Sequence, residues 1–175
     1  VEVAVRWRPY QLDPTIPPDG LPRKAYMLHK FGSEERLREI HDRIVPLGEV
    51  EGIRFNFEAM EVQVNTLDAH RLIRWAASEK APAGAQGQLV RRLFEINFEE
   101  GGNIGNRAVL AEAAGEAGLD AGLIEALLAS NADIEAVQGE IETAGRMGVR
   151  GVPCFLLEGK YAVMGAQESE TLADA

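Results

Sequence analysis

The sequence predicts an α/β fold in which a long block of helices interrupts a strand-bearing frame. Three observations carry this. Val1, Val3, Val5 and Trp7 alternate with Glu2, Ala4, Arg6 and Arg8, which is the period of a strand with one charged face. Five apolar stripes at helical spacing then fill Thr66 to about Met147. Finally, Val152 to Leu157 is apolar at every position and runs into Glu158-Gly159-Lys160, a tight-turn signal. Strand, helices, hairpin and closing helix, in that order, make an α/β architecture with an all-helical insertion.

The elements follow in sequence. After the opening strand, Pro9 to Pro22 holds five prolines and Gly20, so it reads as an extended loop. Ser33 caps a helix with Glu34 and Glu35 in its first turn; Leu37, Ile40, Ile44 and Leu47 face inward and Gly48 stops it. Ile53 to Val62 is ambiguous and partly extended. Thr66 caps the first of the five helices, with Leu72, Ile73, Ala76 and Ala77 on one face. Leu89, Val90, Leu93 and Phe94 form the second stripe, closed by Gly101-Gly102. Asn106 opens the third, with Val109, Leu110, Ala113 and Ala114, and Asp120 opens the fourth, with Leu123, Ile124, Leu127 and Leu128. Ile134, Val137 and Ile141 mark the fifth. Short loops between these helices favour antiparallel packing. Val152 to Leu157 is expected to be a strand covered on both faces, paired with Tyr161 to Met164, and a last helix starts near Glu168.

Composition narrows the function classes. With 46% hydrophobic and 26% charged residues among 175, the chain is an ordinary globular protein. A net charge of −10 with scattered basic residues disfavours nucleic acid and anionic membranes as partners. No apolar run reaches the roughly 18–20 residues of a membrane span. A single cysteine rules out an internal disulfide framework or a cysteine-based metal site, and agrees with a reducing cytoplasm. The chain starts inside a strand pattern without methionine and stops two turns into a helix, so it reads as a segment of a longer gene product.

Candidate sites each have a structural alternative. Pro153 opens a buried strand without an N–H to donate, so either a trans proline at the strand start or a cis Val152–Pro153 bond fits. Along that strand Val152, Cys154 and Leu156 share one face and Pro153, Phe155 and Leu157 the other, which points Cys154 into an apolar layer as an inert packing residue. His29, His41 and His70 are widely spaced and have no carboxylate or cysteine at ligand spacing, so no metal site is suggested, and His70 fits a structural role inside its helix. The glycines near 101–105 match no phosphate-binding loop.

Four stretches in order, RWRPYQLDPTIPPDG (6–20), NTLDAHRLIRWA (65–76), LFEINFEEGGNIGNRAVL (93–110) and GVRGVPCFLLEGKYAVMGAQ (148–167), resemble the DsbA family of thioredoxin-fold oxidoreductases, in its FrnE-like branch. A related group on the same fold is 2-hydroxychromene-2-carboxylate isomerase, which binds glutathione. The resemblance implies a thioredoxin-like fold with an all-helical insertion: residues 1–22 and 148–175 form the core and 23–147 the mostly helical insertion. It implies a thiol-disulfide oxidoreductase acting on thiol or disulfide substrates, with no cofactor. Pro153 becomes a cis-proline facing the catalytic dithiol, and Val152, beside Gly151, presents its backbone to substrate. Asn65, Thr66 and His70 are implied as helix-start and site-wall residues, although the same signature could simply fasten the insertion to the core. The family's Cys-x-x-Cys, at the first helix after the first strand, has no counterpart here, and the absent segment would span roughly 25–30 residues by ordinary element lengths. Two alternatives remain open: a glutathione-dependent isomerase or transferase, and a redox-inactive binding module. A homodimer is also left open.

Overall fold

The computed structural model describes residues 3–173. Helices dominate: α1 (Arg23–Phe31), α2 (Glu34–Val50), α3 (Leu67–Trp75), α4 (Ala85–Phe94), α5 (Arg107–Glu116), α6 (Ala121–Ala129), α7 (Ile134–Arg146) and α8 (Ser169–Ala173). Two small antiparallel sheets accompany them. One pairs β1 (Leu21–Pro22) with β2 (Val62–Gln63), and the other pairs β3 (Cys154–Leu157) with β4 (Tyr161–Met164).

The core lies where the first four of the five helical stripes converge. Leu72 of α3, Leu89 of α4, Leu110 of α5 and Leu128 of α6 are fully enclosed, and Ala113 and Ala114 let α5 come close to its neighbours. Each such leucine contributes about 1.5–3 kcal/mol of burial free energy. The capping residues act locally. Asn106 accepts from the amides of Ala108 and Val109, and Asp120 from that of Leu123, so α5 and α6 begin where their sequence signals place them. Ser33 caps α2 through the Arg36 amide.

Several elements depart from the sequence expectation. Residues 3–8 form no strand: among the described residues no other strand pairs with them, and Val1 and Glu2 lie outside the described residues. A strand's backbone needs a ladder partner, and here one side chain serves in its place. The Gln86 amide accepts from the Trp7 N–H at 3.1 Å and donates to the Trp7 carbonyl at 3.1 Å. The helix α1 was not signalled, because it starts after Pro22 without a capping side chain and buries no residue completely. It packs on α2 as a hairpin set beside the main core, which leaves Leu47 exposed rather than inward.

Gly48 does not end α2. It is buried because a side chain there would strike the ring of Phe55 at 2.5 Å, and the helix runs on to Val50, with Gly52 taking the positive φ after it. α4 passes into a π turn over Glu95–Glu99, which nothing in the sequence announced. β3 is covered less than expected. Its outer edge is unpaired among the described residues, and Val152 and Leu156 are about half exposed. The hairpin itself agrees with its turn signal: Glu158 and Gly159 both take positive φ, and the Lys160 amide donates to Leu157 at 3.0 Å.

Candidate functional site

A cavity of about 460 Å³ lies between the segment Arg8–Tyr10, helix α7 and the outer face of the β3–β4 hairpin. Val152, Cys154 and Leu156 line it, so the strand face inferred from alternation is the face that opens on the cavity. Pro153 is exposed and is not among the residues that line it. The Val152–Pro153 peptide is cis. Among the described residues the N–H and C=O of Val152 make no hydrogen bond, whereas the Pro153 carbonyl accepts from Gly165 at 2.8 Å and closes the sheet behind it. Gly151 stands in open space: a Cβ added there would meet nothing within 4 Å.

Across the cavity from the hairpin, charge is concentrated on Glu140 of α7. It pairs with Arg8 at 3.3 Å and with Arg74 of α3, and Arg74 also reaches Asp133 at 3.5 Å. The two guanidiniums thus share carboxylates instead of offering free positive charge to a ligand. Sequence reading passed over Arg8, Arg74 and Glu140, since residues from three separate stretches meet here and no spacing links them. Among the described residues no group of three histidine, cysteine or acidic side chains could hold a metal ion.

Asn65 and His70 do not line this cavity; they hold one of its walls. The Asn65 amide donates to the Ile16 carbonyl at 2.6 Å, while its oxygen accepts from the Leu67 amide at 2.9 Å. The His70 Nε2–H donates to the Tyr10 carbonyl at 2.9 Å. Both side chains therefore tie the proline-rich loop to the start of α3, and Tyr10, so placed, lines the cavity. Thr66 sits at the cap position but its side chain caps nothing; Asn65, one residue earlier, does that work. This corrects the capping role expected of Thr66: its φ of −93° and ψ of 6° are not the extended cap geometry that aims a hydroxyl at the next turn.

Burial holds the His70 imidazole below its ordinary value of 6.5, and the bond to Tyr10 only partly offsets this. A depressed histidine binds protons more weakly when folded, so its contribution is complete above about pH 6.5 and falls away as pH drops through that value. Stability is expected to decline below about pH 6.5, and His70→Gln, which keeps a donor but cannot titrate, should flatten part of that decline in urea titrations at several pH values.

Cys154 departs from the inert, buried thiol expected of it. It is only half buried, because β3 lacks a covering layer on the cavity side. A small thiol reagent is therefore expected to modify the native protein completely and without unfolding, as followed by mass shift with the circular dichroism unchanged.

The DSBA-like thioredoxin domain profile matches residues 1–175. No curated protein matches the sequence. Among solved structures, one described as a probable DsbA oxidoreductase from Streptomyces coelicolor is similar, with 29% identity and a TM-score of 0.84 over 95% of this chain and 71% of that one. No helix among the described residues is long and apolar enough to cross a membrane. The chain belongs to the DsbA-like thioredoxin domain family.

Proposed function

We propose that the protein is a thiol-disulfide oxidoreductase of the FrnE-like branch, and that Gly151-Val152-Pro153 forms the substrate-facing loop of its site. The observation that carries the reading is the unused backbone of Val152 at the head of an unpaired strand edge, beside an apolar cavity. An extended substrate segment could add to such an edge through main-chain hydrogen bonds. Thiol-disulfide exchange needs a thiolate to attack and a second thiol to resolve the mixed disulfide. The chain's single cysteine cannot do both, so the dithiol is assigned to residues preceding Val1 in the gene product. In the family's position, at a helix N-terminus, its first cysteine would be held as thiolate by the helix dipole. The reading is of an enzyme that needs no cofactor, and the scarcity of cysteine supports a reducing, cytoplasmic setting.

Asn65 and His70 serve this site as positioning residues, through the Tyr10 loop. The test is reduction of insulin disulfides by the natural protein with its dithiol in place: turnover supports the reading, and none overturns it. A second reading has one observation in its favour, since a cavity of about 460 Å³ beside Val152 has room for a tripeptide thiol. Saturable glutathione binding together with a serine or a lone cysteine at the dithiol position would select it, as a glutathione-dependent isomerase or transferase.

A further inference from the structure

A second and larger cavity, about 710 Å³, opens between the end of α2, the segment 53–57 and the side of α4 with its π turn. It falls within the roughly 300–1,000 Å³ typical of small-ligand sites. Its walls are aromatic. Phe55 stacks on Phe57 at 5.0 Å, meets Phe98 edge-on at 6.1 Å, and Phe98 lies 5.9 Å from Phe94. Trp7 closes one side. Phe94 and Trp7 remain about half exposed although they are among the most hydrophobic side chains of the chain.

The rings are held in place by backbone rather than by chance packing. The π turn shifts the hydrogen-bond register, with the Glu100 amide reaching back to Glu95, and the Phe98 carbonyl accepts from the Asn56 amide at 2.7 Å. The Arg54 amide donates to the Glu99 carboxylate at 3.2 Å. Gly101 passes so close to Ala59 that no side chain fits between them. π turns of this kind recur at functional sites. The cavity is therefore preformed, and a ligand would meet little ordering cost on entry.

Charge selects the ligand class. Glu51, Glu95 and Glu99 stand at the cavity, with Arg91 as the one basic lining residue. Glu95 is paired with Arg91 at 3.1 Å and with Arg92 at 3.8 Å, Arg54 approaches Glu99 only at 4.0 Å, and Glu51 has no ion-pair partner among the described residues. Aromatic faces ringed by carboxylates attract a cation both through the ring quadrupoles and through Coulomb attraction. We infer that this cavity binds a planar aromatic cation, at a site separate from the Val152 cavity and independent of the oxidoreductase reading.

The test titrates the natural protein with thioflavin T, a planar aromatic cation, and with 1-anilinonaphthalene-8-sulfonate, an anion of similar ring content. The expected result is saturable one-site binding of the cation, tighter than the anion, with quenching of tryptophan emission that disappears in Trp7→Phe. Gly87 lines the cavity from within α4, and nothing lies within 4 Å of a Cβ added there. Gly87→Leu should fill the cavity, weaken cation binding at least about tenfold, and leave the melting temperature equal or higher, because glycine is a poor helix former. Phe94→Ala, which truncates an exposed ring, provides the same reading if Gly87→Leu loses its fold, and Glu51→Gln should weaken the cation but not the anion. No saturable cation binding, an anion bound as tightly as the cation, or unchanged binding in folded Gly87→Leu or Phe94→Ala would overturn the inference.

Discussion

Arg71→Ala is expected to lower the unfolding free energy by about 3–5 kcal/mol, the largest loss of any single substitution outside the leucine core. Arg71 is completely buried. Its guanidinium donates to the Leu127 and Ser130 carbonyls at 2.8 Å each, to Ala132 at 2.7 Å, and to the Asp68 carboxylate at 2.7 Å. Those carbonyls belong to the C-terminal end of α6 and the turn after it, where α-helices leave acceptors unmatched and favour positive charge. Alanine would leave several buried acceptors without a donor and Asp68 with Arg107 alone, at 3.2 Å. Arg71→Lys, with three donors on a point charge, should recover only part of the loss, because it cannot reproduce the fork. Urea unfolding followed by circular dichroism measures both variants. A loss below about 1 kcal/mol, the worth of an ordinary exposed ion pair, would contradict this account of how α3 and α6 are joined.

The second large effect is expected at Gly101. Its φ of +71° lies in the left-handed region, and an added Cβ would sit 2.5 Å from the Ala59 Cβ and 2.6 Å from the Ala59 carbonyl oxygen. Alanine there combines left-handed strain of about 1–2 kcal/mol with a backbone clash that only displacement of the 56–59 segment can relieve. A total loss of at least about 2 kcal/mol is expected, read as a lower urea midpoint with an unchanged slope. Gly87→Ala serves as the control: it lies in open space within a helix and should be neutral or mildly stabilising.

These two residues also show what could be read from the sequence and what could not. Periodicity and capping are local, so α3 to α7 stand close to their expected limits, with Asn106 and Asp120 in their assigned roles. The Glu158-Gly159 turn was legible for the same reason. What failed was whatever depends on distant partners. The alternation of residues 3–8 specifies a surface suited to a sheet, but a strand exists only if another strand meets it. The uniform apolar run of β3 signalled two covered faces, yet the face bearing Cys154 opens on a cavity. Gly48 and Gly101 looked like helix terminators, and each proved to be a point of close approach as well or instead.

The signature NTLDAHRL is the clearest case. The resemblance implied a site wall, with fastening of the insertion as the alternative, and most of the motif's side chains have a fastening task that sequence spacing could not assign. Asn65 and His70 hold the Tyr10 loop, Asp68 and Arg71 hold the end of α6, and Ala69 and Leu72 lie in the core. The motif shapes the Val152 cavity without lining it.

The central claim is that Val152-Pro153 is the substrate-facing loop of a disulfide-exchange site. Its most direct test is the lifetime of the mixed disulfide between the natural protein, with the dithiol proposed for it, and a peptide substrate, compared with Pro153→Ala. The account predicts that the wild type turns insulin over and releases substrate, while Pro153→Ala stays folded and accumulates the mixed disulfide. A natural protein without a dithiol or without turnover, or a Pro153→Ala variant with the mixed-disulfide lifetime of the wild type, would contradict it.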